Sequence, residues 1–204
     1  MSFLNKVMIK PWEHAGELDD LRDESVAARA ASRTGLFVFL AVISSMFLLF
    51  IVSYYSRSQF PDWEVMKDPE ILWVNTLVLV LASIALQLAS NAAKQGVSSK
   101  LTYALSAGAV LTLVFVAGQF VAWEQMIKAG YYAQQNPSYA FFYLVTGLHA
   151  LHLIGGLWFM GLLGFRLKRK KNKEALLQSV ALCATYWHYL LLVWIALFTL
   201  LLRT

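Results

Sequence analysis

Residues 35–55 read GLFVFLAVISSMFLLFIVSYY, twenty-one residues without a single charge. About 30 Å of hydrocarbon takes roughly 20 helical residues to cross, and a helix satisfies every backbone amide within its own segment. This stretch therefore predicts a membrane span. Four more runs behave alike, at 71–90, 101–122, 139–165 and 176–202, and none of the five contains Asp, Glu, Lys or Arg. Apolar residues make up 59% of the 204-residue chain and charged residues 14%, so lipid is the solvent for most of it. The predicted fold is an all-α polytopic membrane protein, a bundle of five transmembrane helices over residues 35–204 preceded by a tail at 1–34.

The basic residues give the expected orientation. Thirteen of seventeen lie in the tail, the 91–100 loop and the FRLKRKKNK segment, against Arg57, Lys67, Lys128 and Arg203 on the other face. The N-terminus is expected in the cytoplasm and the C-terminus outside. The tail has no apolar h-region, so it does not read as a secretory signal. Residues 17–33 carry acids first and bases last, which suits a surface helix leading into the first span. Segments 56–70 and 123–138 are expected external loops, with Glu124 solvated at the membrane edge.

A net charge of +5 in a soluble protein would suggest nucleic acid, but here the charge concentrates beside the membrane, and no nucleic-acid partner is expected. Arg166, Lys168, Arg169, Lys170 and Lys171 orient the chain and are candidate ligands for anionic lipid headgroups. The single Cys183 can form no intrachain disulfide and reads as a small core residue.

Chemistry inside a membrane usually announces itself through ionisable residues. The polar residues that stand out within these runs instead include Ser44, Ser45, Asn75, Gln87, Gln119, Thr146, His149, His152 and His188. His149 and His152 are three apart and share a helix face, and His188 lies at similar depth in the last run. Three readings are open: neutral imidazoles that hydrogen-bond across helices and fix register, axial ligation of a haem by His149 or His152 opposite His188, or a proton path, which the absence of acids disfavours. The fourth run is rich in small residues, among them Gly147, Gly155 and Gly156, and is suited to close helix packing.

FYLVTGLHALHLIGG (142–156), YWHYLLLVW (186–194) and FVAGQFVAW (115–123) carry a resemblance. They are similar to the TG.H..H...G, YWHF...VW and F...Q...W/Y elements of the cytochrome c oxidase subunit III family, in its five-span bacterial form. The matching residues are Phe115, Gln119, Trp123, Thr146, Gly147, His149, His152, Gly156, Tyr186, Trp187, His188 and Trp194. Ser45, Ala122 and Leu191 stand where many members carry acids. The resemblance implies a non-catalytic subunit of a haem-copper terminal oxidase in a bacterial inner membrane. It further implies haem and copper only in partner subunits, bound phospholipid, packing against the catalytic subunit and other oxidase subunits, and membership of a larger respiratory supercomplex. It leaves two alternatives, an accessory subunit of a nitric oxide reductase and an independent b-type haem protein.

Overall fold

The computed structural model describes residues 13–66, 69–168 and 173–202, with side chains left undescribed at 13–25, 98, 168, 173 and 174. The described residues form five long helices, α1 Glu13–Arg57, α2 Ile71–Lys94, α3 Ser98–Lys128, α4 Pro137–Lys168 and α5 Lys173–Leu201, and no strand. All five are long and apolar enough to cross a membrane. Large apolar side chains face outward, including Leu49 at 70% and Trp158 at 75% exposure, which suits a protein whose surroundings are hydrocarbon.

The chain divides between Phe39 and Leu40 into two units. In the first, α1 is already helical from Glu13, and the Arg33 guanidinium lies 5.9 Å over the Phe37 ring. There is no helix break near residue 34, the boundary expected between tail and membrane domain.

In the second unit, helices overrun the expected spans, because the backbone ladder continues into the interface after the apolar run ends. The largest difference is at 123–138, expected as a loop. Here α3 continues to Lys128, supported by a Glu124–Lys128 pair at 2.6 Å on one helix face, with both side chains exposed. Gly130 then ends the helix at φ 89°, with Gly130 N–H donating to Ile127 O and Tyr131 N–H to Met126 O. Gly96 closes α2 by the same pair of bonds at φ 75°, the left-handed position that only glycine takes at little cost. At the start of α4, Asn136 Oδ1 accepts from Ser138 N–H at 2.9 Å, and Pro137 occupies the first helical position.

The loops at this end are fastened together. Arg57 Nη1 donates to Asp62 Oδ1 at 2.7 Å, a second guanidinium N–H reaches Oδ2, and this holds the Asp62 carboxyl below its ordinary range. Asn136 Nδ2 donates to Asp62 O at 2.9 Å, and the Tyr139 hydroxyl donates to the Glu64 carboxylate.

Without a hydrophobic force between helices in lipid, close packing must hold the bundle. Small residues permit it. A Cβ on Gly118 would collide with Asn75 Oδ1 of α2, and one on Gly108 would stand 2.8 Å from Leu86 Cγ. On α4, a Cβ at Gly156 would meet Trp187 Cη2 of α5 at 2.6 Å. Three apolar clusters result. One gathers Phe115, Phe142, Leu153, Trp194 and Phe198; one gathers Leu86, Leu101, Met160, Cys183 and Trp187; and one joins Ile43 and Phe47 of α1 to Val145, Val193 and Leu197.

Candidate functional site

The polar groups of the bundle interior are spent largely on one another. Four consecutive residues of α5, Tyr186, Trp187, His188 and Tyr189, each bond to a different helix. Tyr186 hydroxyl donates to the carbonyl of His152 on α4 at 3.0 Å, and Trp187 Nε1 donates to Thr112 Oγ1 on α3 at 3.0 Å. His188 bonds to Gln87 Oε1 at 2.9 Å and to Ser83 Oγ, both on α2, while the Tyr189 hydroxyl meets Ser44 Oγ of α1 at 2.9 Å. With 3.6 residues per turn, successive side chains are set about 100° apart, so four of them sweep the full circumference. One turn of α5 therefore addresses all four neighbours.

A second device recurs along the bundle. Indole N–H is a donor with no acceptor role, and three buried or half-buried tryptophans each give it to a threonine hydroxyl. The pairs are Trp187 with Thr112 at 3.0 Å, Trp194 with Thr76 at 2.9 Å and Trp123 with Thr146 at 3.0 Å. Each of these threonines sends its own proton to the carbonyl four residues back, to Gly108, Leu72 and Phe142 respectively. The hydroxyl is then a pure acceptor toward the indole. Ser44 repeats the scheme, donating to Leu40 O at 2.8 Å while facing Tyr189. Thr76 and Thr112 were not among the expected site residues. Their signal was present in the three tryptophans, whose donors need acceptors in a dry interior.

The three histidines go different ways. With Gln87 Oε1 accepting, His188 Nε2 carries the proton and Nδ1 accepts from the Ser83 hydroxyl, so both ring nitrogens are engaged with α2 rather than presented to α4. His152 Nδ1 bonds to Leu148 O of its own helix at 2.7 Å, and its link to α5 runs through its backbone carbonyl, not its ring. His149 is wholly buried among the rings of Phe47, Phe115 and Trp194, at centroid distances of 6.5, 5.9 and 5.2 Å. Among the described residues no cluster of three or more His, Cys, Asp or Glu could hold a metal ion.

The remaining expected residues fall around this frame. Gly147 lies under Trp123, with 3.8 Å from its Cβ position to the indole, and Gln119 is buried between helices. Ser45 is exposed on α1, Ala122 is fully buried and Leu191 half-buried. Of the headgroup candidates, Arg166 is exposed; Arg169, Lys170, Lys171 and the Lys168 side chain lie outside the described residues. Nearby, a cleft of about 950 Å³ opens between the ends of α2, α3, α4 and α5, lined by Ala93, Leu105, Ala109, Gly161, Gly164 and Leu176 among others.

Known proteins share this sequence pattern. The family model for cytochrome c oxidase subunit III matches residues 21–202. A protein named probable cytochrome c oxidase subunit 3 from Mycobacterium tuberculosis is 33% identical over 124 residues, 61% of each chain. One of the same name from Nocardia farcinica is 32% identical over 123 residues, 60% of this chain and 61% of its own. Cytochrome c oxidase subunit 3 of Triticum aestivum is 28% identical over 183 residues, covering 84% of this chain and 68% of the relative. The match thus spans about three-fifths of the length of the bacterial relatives. On the family match across nearly its whole length, this chain belongs to the cytochrome c oxidase subunit III family.

Proposed function

We propose that this chain is the non-catalytic subunit III of a haem-copper terminal oxidase in a bacterial inner membrane. It braces the catalytic subunit, which reduces O2 to water and moves protons, and it holds phospholipid at its surface. The observation that carries this reading is the family match over residues 21–202, joined to an interior whose charged residues are absent and whose polar side chains serve mostly as helix-to-helix bonds. Such an interior is suited to rigidity. Among the described residues no cluster of three or more His, Cys, Asp or Glu could hold a metal ion; in this reading haem and copper belong to partner subunits, as the family implies.

Phospholipid binding is supported by the cleft near Lys94, Lys100 and Arg166. Its lining is mostly apolar; Lys94, Lys100 and Arg166 each adjoin a lining residue in sequence, are exposed, and form no ion pair among the described residues. An anionic headgroup would meet the cations while acyl chain fills the cleft. The experiment for the whole reading is recovery of a tagged chain in mild detergent. A haem-containing complex that consumes O2 supports it. A Soret band from the chain alone, or a complex reducing nitric oxide but not O2, overturns it. For the lipid, Lys100→Gln with Arg166→Gln is expected to lower the anionic phospholipid retained per complex, read by mass spectrometry.

A further inference from the structure

The middle of the bundle holds polar atoms that the interhelical bonds leave over. His149 is 0% exposed, and neither ring nitrogen has a hydrogen-bond partner among the described residues. Gln119, 1% exposed, is in the same position with both its amide nitrogen and its carbonyl oxygen. Register brings the two together. Phe115, Gln119 and Trp123 are spaced by four on α3 and share a face. Phe115 lies 5.9 Å from the His149 ring, and Trp123 bonds to Thr146, one turn before His149 on α4. Gln119, midway between them, is carried against the Thr146–His149 turn.

A neutral imidazole offers one N–H and one acceptor nitrogen, and a carboxamide offers two N–H and a carbonyl. Buried in a core of aromatic rings, such groups are rarely left unmade. The mixture of donors and acceptors selects the ligand. A metal cation would need further ligands beside the one imidazole, and no cluster of three or more His, Cys, Asp or Glu exists among the described residues; an anion would need a positive charge. A small neutral molecule that both donates and accepts meets every group, and buried water does this in protein interiors. We propose that Gln119 and His149 form a binding site for internal water, which bridges α3 to α4 one turn away from the Trp123–Thr146 pair.

The test uses the full chain in mild detergent. Gln119→Met and His149→Phe are each expected to lower the thermal unfolding midpoint by several degrees, because each strands the other's polar atoms. The double variant, which removes both, is expected to recover most of that loss. Losses that simply add would overturn the site. A second measurement needs no variant at these positions. In wild-type chain labelled with ¹⁵N in histidine, the His149 ring signals, assigned by removing His14, His152 and His188 in turn, should appear in a water-edited solid-state NMR spectrum. Ring nitrogens that receive no magnetisation from water would overturn it, and a direct Gln119–His149 bond would give that result.

Discussion

Thr112 shows how unequal the two ends of one hydrogen bond are. Its hydroxyl proton goes to Gly108 O whether or not the indole is present, whereas the Trp187 N–H has no other acceptor among the described residues. Thr112→Val is therefore expected to destabilise the chain by roughly 1–3 kcal/mol, since it leaves a buried donor unmade. Thr112→Ser, which keeps the oxygen, should cost less; thermal unfolding in detergent ranks the two. Glycines make a similar contrast. At Gly156 an alanine meets Tyr186 and Trp187 within 3 Å, so Gly156→Ala should cost about 1–3 kcal/mol by overpacking. Its neighbour Gly155 faces open space, and Gly155→Ala should be neutral or slightly stabilising. A tally of small residues could not separate these adjacent glycines.

At the scale of elements, α5 is the hub and α1 is its most lightly held spoke. Of the apolar window of α1, 17% is buried against 44% for α5, so its polar contact to Tyr189 matters more to it. Tyr189→Phe should cost about 0.6 kcal/mol, the average for an interhelical hydrogen bond in a membrane, and at most about 1.7 kcal/mol. The loss should appear as faster amide exchange around Ser44 with little change in α2 and α3. The 56–70 loop carries a pH-dependent fastening. Because Asp62 titrates below its unfolded value, the stabilisation from Arg57 is complete above about pH 4 and is lost as pH falls through the folded value. Proteolysis of the loop should accelerate over that interval, and Asp62→Asn should show the faster rate at neutral pH.

For the whole molecule, the asymmetry of thirteen basic residues against four predicts that the Gly96 turn faces the cytoplasm and the Gly130 turn faces outward. In a Cys183→Ala background, Gln95→Cys should react with a membrane-impermeant maleimide only from the cytoplasmic side and Gln134→Cys only from outside. The reverse pattern would invert the topology.

The span count and approximate placement were legible in sequence because hydrocarbon thickness sets helix length, and a charge-free run of about twenty residues has few other uses. The family was legible because its polar motif residues stand out against an apolar background. Helix ends were less so: the extension of α3 to Lys128 depended on a surface ion pair and on Gly130 taking a left-handed turn. The pairing of side chains was decided only by tertiary structure. Whether Trp194 meets Thr76, or His188 meets α2 instead of α4, depends on the rotation and height of whole helices, which many packed side chains set together. Composition gives the donors and acceptors; which of them meet is fixed by packing.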